Sequence, residues 1–101
     1  MSEPSETVLV ARELASLIPA FLVNRRSELA ALRAALAAED YAGLCQLGHR
    51  MKGVGASYGF APISAYGAQI EDRARAPDRA AVAAQIEAYA EYLGRVRIVY
   101  D

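Results

Sequence analysis

An all-α protein, folded as an antiparallel four-helix bundle with a short N-terminal cap helix, is predicted by three features of this 101-residue chain. Alanine, the strongest helix former, occurs 22 times, while β-branched residues are few and tryptophan is absent. Apolar residues recur at spacings of three and four over long stretches. The four prolines fall between those stretches or in their first turns, where a missing N–H is tolerated.

The elements follow in order. Residues 1–9, with Pro4 and two acidic residues, read as a flexible tail ahead of one domain spanning 10–101. A short helix is expected from Val10 to Ile18, ended by Pro19. From Ala20 to Ala38, Leu22, Leu29, Leu32 and Leu36 run close to a heptad. Asp40 can cap the next helix, Tyr41 to about Tyr58, because its side chain can accept from an unpaired N–H of the first turn. Gly59 can close that helix in the left-handed conformation. Another helix spans Pro62 to Arg75, with Ile63, Tyr66, Ile70 and Ala74 inward. The last starts near Pro77 or Asp78 and carries the seam Val82, Ile86, Tyr89, Leu93, Val96 and Tyr100. Such brief connections favour antiparallel neighbours. The tyrosines fall mostly on apolar seams and are assigned to the core. Arg25, Arg26, Arg95 and Arg97 are assigned to solvated faces or to pairing with Glu28, Glu87 and Glu91.

Composition narrows the function. A net charge of −1 gives no reason to expect nucleic acid as a partner. Cys45 is the only cysteine, so neither an internal disulfide nor a zinc site of several thiolates can form. No apolar run approaches the roughly 20 residues of a membrane span. The polar, acidic stretch Met1 to Glu6 does not resemble a signal peptide, so the cytoplasm is the expected compartment.

The most informative stretch is Gly48-His49-Arg50-Met51-Lys52-Gly53, which holds the only histidine and the only lysine of the chain. On a helical wheel Leu44, Leu47, Met51, Val54, Gly55 and Tyr58 share the core arc, and His49 lies roughly 170° from its centre. His49 therefore faces solvent. Around it lie Ala42, Cys45, Gly53 and Ala56, with Gln46 and Lys52 at the edges. An ordinary exposed helix face carries long polar side chains, whereas this one is low and suited to docking another protein. Abundant alanine accounts for Ala42 and Ala56. It does not account for Gly53, since glycine within a helix costs about 1 kcal/mol against alanine. Lys52, one turn from His49, can reach an anion attached to the imidazole. Cys45 and His49 share a face and could ligate a metal, but two ligands make no closed site, and no metal site is assigned.

The segment His49-Arg50-Met51-Lys52-Gly53-Val54-Gly55-Ala56-Ser57-Tyr58-Gly59 resembles the signature of histidine-containing phosphotransfer domains: H-x-L-K-G, then small residues, then glycine ten positions after the histidine. Asp40-Tyr41 is similar to the opening of that family's active-site helix, and Ala61-Pro62 and Ile70-Glu71 to the ends of the next. The resemblance runs from about Leu14 to Val99. Met51 replaces the usual leucine, a swap that conserves volume, and Phe60 stands where a small residue is usual.

The resemblance implies a phosphocarrier without autonomous enzymatic activity. His49 would accept a phosphoryl group from an aspartyl phosphate on a response-regulator receiver domain and pass it to another in a multistep phosphorelay fed by a hybrid sensor histidine kinase. Histidine ordinarily titrates about pH 6.5, so a neutral ring nitrogen can serve as nucleophile. Lys52 would stabilise the phosphoryl group, and Gln46 would orient the ring or bond phosphoryl oxygens. Ala42, Cys45, Gly53 and Ala56 would form the docking surface. The domain needs no cofactor of its own, since the receiver supplies Mg2+, and a monomer is expected. The alternative is a non-catalytic helical adaptor that binds signalling proteins through the same face.

Overall fold

The computed structural model describes residues 7–100. Four helices carry most of it: α1 (Ile18–Ala37), α2 (Tyr41–Tyr58), α3 (Ala61–Arg75) and α4 (Arg79–Arg95). A 3-10 helix, Arg12–Leu17, precedes α1, and short strands β1 (Thr7–Val10) and β2 (Arg97–Tyr100) flank the bundle.

The helix boundaries follow local chemistry. The Asp40 side chain accepts from the Gly43 N–H at 2.9 Å and starts α2. Gly59, at φ 80°, ends it in the left-handed region that glycine adopts without a Cβ penalty. Asp78 caps α4 by accepting from the Ala81 N–H at 3.1 Å.

Expectations at both ends of the chain are corrected. The short helix expected from Val10 to Ile18 is a 3-10 helix confined to Arg12–Leu17, with Val10 in β1 and Ile18 opening α1. Pro19 lies in the first turn of α1, where no N–H is required, so it starts the helix rather than separating two. The last helix stops at Arg95, and Val96 turns into extended backbone. Tyr100, assigned to the helical seam, lies exposed in β2 instead. The fold is thus mostly rather than wholly α. Thr7, Val8 and Leu9, expected in the tail, lie in β1, while residues 1–6 of that tail, and Asp101, lie outside the described residues. The two strands pair in parallel, Thr7 with Arg97 through Val10 with Tyr100. β1 carries Val8 and Val10 and β2 carries Ile98 and Val99, β-branched residues that suit extended backbone, and parallel pairing needs a long crossover, here the helices themselves.

The core gathers Ile18, Phe21 and Leu32 of α1, Leu44 and Met51 of α2, Ile63 and Ile70 of α3, and Val82, Ile86, Tyr89 and Tyr92 of α4. Phe60, at the α2–α3 turn, is fully buried and stacks on Phe21 with ring centroids 4.8 Å apart. In α1 the buried stripe runs Ile18, Phe21, Arg25 and Leu32, and the predicted Leu22, Leu29 and Leu36 flank it. Of the two alternatives for Arg25, a solvated face or a pair with Glu28, the structure shows the pair, in a buried setting. The Arg25 guanidinium lies 4.9 Å from the Phe21 ring centroid and its Nε 3.6 Å from Glu28 Oε1. The Tyr89 hydroxyl donates to Glu28 at 3.2 Å. Desolvation raises the Glu28 carboxyl above its ordinary value, against the opposing pull of Arg25 and the Tyr89 hydrogen bond. Glu87 pairs with Arg33, at 3.0 Å, across α1 and α4.

The tightest packing lies between α2 and α3. A Cβ on Gly48 would fall 2.6 Å from the Gly67 carbonyl oxygen and 2.8 Å from the Glu71 nitrogen. A Cβ on Gly67 would fall 2.6 Å from the Gly48 carbonyl oxygen. The obstacles are backbone, so a side chain at either position would have to part the helices. Around Gly53, in contrast, an added Cβ meets nothing within 4 Å. Opposite outcomes are expected from one substitution made at two positions. Gly48→Ala should destabilise the domain by about 1–3 kcal/mol, the scale of overpacking. Gly53→Ala should stabilise it by up to about 1 kcal/mol through helix propensity. Thermal and urea denaturation of both variants checks the pair.

Candidate functional site

His49 follows Gly48 on α2, so the residue that lets α3 come close is adjacent to the one presented beside it. The imidazole is outward, as the wheel predicts, with its side chain 69% exposed. Its Nδ1 lies 3.2 Å from Oε2 of Glu71, on α3. Lys52, one turn along α2, donates from Nζ to the other oxygen, Oε1, at 3.3 Å. Arg75, one turn along α3, donates from a guanidinium nitrogen to Oε2 at 3.1 Å. One carboxylate from α3 thus gathers three nitrogen groups, two of them from α2.

Glu71 is the site residue that sequence reasoning missed. Its side chain is only 8% exposed, although it is charged. Burial pushes its carboxyl up, but the hydrogen bond and charge of Lys52 and the charges of Arg75 and His49 outweigh burial and hold it below the ordinary 4.5. A carboxylate ionised near neutral pH can only accept hydrogen bonds, so the ring nitrogen facing it must carry the proton. His49 thereby donates Nδ1–H to Glu71, and Nε2 lies on the side of the ring away from that bond. The signal available in the sequence was an acidic residue on the packed face of α3, next to Ile70 and four residues after Gly67.

The other predicted residues divide by burial. Ala42, Gln46, Lys52, Gly53 and Ala56 are exposed with His49 on α2. Cys45, assigned to the outer docking surface, is half-buried, and its thiol donates to the Glu71 carbonyl at 3.7 Å. The close approach of α3 covers it from one side. Cys45, Gln46, His49, Arg50 and Glu71 line an open cavity of about 390 Å³. The bond that fixes the ring comes from Glu71, with Gln46 beside it on the cavity wall. Among the described residues no three His, Cys, Asp or Glu side chains gather as metal ligands. No described helix is long and apolar enough to cross a membrane.

The lowered Glu71 value carries a pH dependence of known sign. Its ionised form stabilises the fold fully above the ordinary 4.5, and that contribution is lost as pH falls through the lower folded-state value. Glu71→Gln removes the titration. The melting temperature of the unaltered protein should therefore fall more steeply below about pH 4.5 than that of the variant, as paired melts across pH would record.

Comparison with curated proteins and with solved structures gave no match. Comparison with family models matched the Hpt domain over residues 16–98, a span that takes in all four helices, His49 and Glu71. By that match, the chain belongs to the Hpt domain family, the histidine phosphotransfer modules of two-component signalling.

Proposed function

We propose that this Hpt domain carries a phosphoryl group on His49 Nε2, taking it from an aspartyl phosphate of one receiver domain and giving it to another. The observation that carries the reading is the contact between His49 Nδ1 and the buried, ionised Glu71 carboxylate at 3.2 Å. In the neutral ring it leaves Nε2 as the nitrogen that carries the lone pair, in a fixed orientation.

The chemistry asked of the domain is modest. Phosphoryl transfer depends on alignment of the attacking and departing groups and on stabilisation of charge on the equatorial oxygens. Nε2 forms the new bond to phosphorus as the bond to the aspartyl oxygen breaks, and the electron pair departs with the carboxylate. The ring becomes positively charged while Nδ1 keeps its proton, and the bond to Glu71 becomes an ion pair. Lys52, half-exposed beside the ring, can turn its ammonium to the phosphoryl oxygens. Gln46, on the cavity wall, can offer its amide to the same oxygens. Mg2+ and the remaining groups belong to the receiver, so the domain is a phosphocarrier and not an enzyme on its own.

The low face of Ala42, Gly53 and Ala56, all exposed, receives the receiver and lets its aspartyl phosphate approach Nε2. Cys45 contributes from beneath, at the cavity wall. A hybrid sensor histidine kinase feeds the relay, and the cytoplasm is the compartment this reading requires. The antiparallel order of the bundle belongs to the same reading. It is supported by Cys45 lying against Glu71 while Gly55 lies against Ser64, and by Glu28 meeting Tyr89 while Leu36 meets Arg79.

His49→Gln should abolish acceptance of acid-labile phosphate from a phosphorylated receiver while leaving helical content and receiver binding in place. A variant that still labels would overturn phosphotransfer on His49. A parent protein that binds receivers but never labels would favour the adaptor.

Lys52→Ala tests the cation separately. A charge-assisted contact is worth about 1.5–3 kcal/mol, so transfer should slow roughly 10- to 100-fold without loss of fold. Rapid-quench transfer assays beside a thermal melt measure both quantities.

A further inference from the structure

Arg75 has no part in the resemblance to the phosphotransfer family or in the steps above, yet it touches the atom on which the imidazole is anchored. Its guanidinium donates to Glu71 Oε2 at 3.1 Å, and the same oxygen receives His49 Nδ1–H at 3.2 Å. Lys52 holds the other oxygen at 3.3 Å. A second guanidinium nitrogen of Arg75 lies 3.7 Å from Asp72 Oδ1, so the head group is held between two carboxylates of α3. We propose that Arg75 is a positioning residue of the transfer site: it fixes the Glu71 oxygen that orients His49, and it remains the counter-ion of that buried carboxylate when Lys52 turns to the phosphoryl group. The proposal rests on the phosphotransfer reading.

Charge accounting shows why a second cation is required. Counting the groups within 3.3 Å of Glu71 and leaving aside the more distant, solvent-exposed Asp72, two cations face one carboxylate and a neutral ring before transfer, leaving one positive charge in excess. Transfer adds a phosphoryl group with about two negative charges and makes the ring cationic, because Nε2 gives its lone pair to phosphorus while Nδ1 keeps its proton. The loaded cluster then comes close to neutral. Without Arg75 the resting cluster is neutral and the loaded one carries a net negative charge beside a buried carboxylate. Lys52 would also be the sole permanent cation for both Glu71 and the phosphoryl group, and each would draw it from the other. A buried carboxylate that loses its cation is strongly disfavoured. Arg75 comes from α3 and points along that helix to Glu71, so it can stay while Lys52, from α2, moves.

The Arg75 side chain is 64% exposed, so its removal should leave the fold intact and act with the strength of a partly screened ion pair. The test is a double-mutant cycle of Arg75→Ala and Glu71→Gln, read by the rate of phosphoryl transfer from a receiver charged with acetyl phosphate. Arg75→Ala should slow transfer roughly three- to fivefold. Arg75→Lys should recover most of the loss. In the Glu71→Gln background, where no carboxylate needs a counter-ion, Arg75→Ala should have almost no further effect. The free protein supplies a second readout. His49 is the only histidine, so its imidazole 15N resonances report the ring directly, and Arg75→Ala should reduce the share of the Nδ1–H tautomer.

Transfer as fast in Arg75→Ala as in the parent overturns the proposal. So does an equal loss in the Glu71→Gln background, which would mean that Arg75 acts on the receiver or phosphoryl group and not through Glu71. If the parent protein itself takes no phosphoryl group, the phosphotransfer reading fails. The 15N comparison then still decides the positioning role, and an unchanged tautomer overturns it.

Discussion

The site depends on how closely two helix backbones approach one another. Gly48 and Gly67 face each other across α2 and α3, and at either position a Cβ would lie 2.6 Å from the opposing carbonyl oxygen. Glycine inside a helix is unfavourable by about 1 kcal/mol against alanine. Met51, Ile63 and Ile70, packed without solvent exposure around the contact, offset that cost. The geometry of the site follows directly. Glu71 lies one turn beyond Gly67, so its carboxylate is delivered to the residue immediately after Gly48. A larger residue at the crossing would separate the helices, and contacts of 3.2 and 3.3 Å from His49 and Lys52 to Glu71 have little length to spare.

The approach also accounts for the electrostatics. A carboxylate brought this far beneath a surface loses water, which by itself would favour its neutral form. Lys52 and Arg75, each one helical turn from a residue at the centre of the site, reverse that preference. An ionised Glu71 is what places a proton on Nδ1, so that Nε2 is the ring nitrogen turned away from the contact. On the proposed reading, the attacking nitrogen is selected by Glu71, which never touches phosphorus and whose charge is maintained by cations from both helices. Every member lies on a helix. The orientation of the ring is therefore built into packed elements and requires no loop to order.

How much of this the sequence discloses depends on how local each feature is. The start and end of α2 were legible because Asp40 and Gly59 act on their own turn. The outward direction of His49 was legible because a wheel needs only the helix that carries it. Glu71 was not, since its partners lie 22 and 19 residues away and only the α2–α3 approach joins them. Its trace was a charged residue at a packed position of α3. Gly48 was read as part of a motif, although its burial is what admits α3. For Arg25 the pairing with Glu28 was legible, three residues along the same helix, but its burial was not: the leucines at 22, 29, 32 and 36 suggested one stripe, while the helix buries one that shares only Leu32 with it and sets the arginine against Phe21. The terminal strands were hidden by coincidence. Val96 and Tyr100 continue the spacing of α4, and only pairing with residues some ninety positions earlier makes their stretch extended.

Gly48 and Gly53 show how one residue type serves opposite ends on a single helix. They lie on either side of His49, and the helix turns one inward and the other outward. Gly48 gives up its side chain so that a backbone of the same chain can come within contact distance. Gly53 has nothing within 4 Å where its side chain would be, so no internal packing accounts for it. The fold alone would prefer alanine there by about 1 kcal/mol. Under the proposed function, a receiver surface seated over His49 accounts for that glycine, and the exposed Ala42 and Ala56 fit the same surface. His49 therefore stands at a boundary. On one side α3 holds its ring with no room to spare, and on the other, under the proposed function, the low face leaves Nε2, Lys52 and Gln46 open to an approaching phosphoryl group.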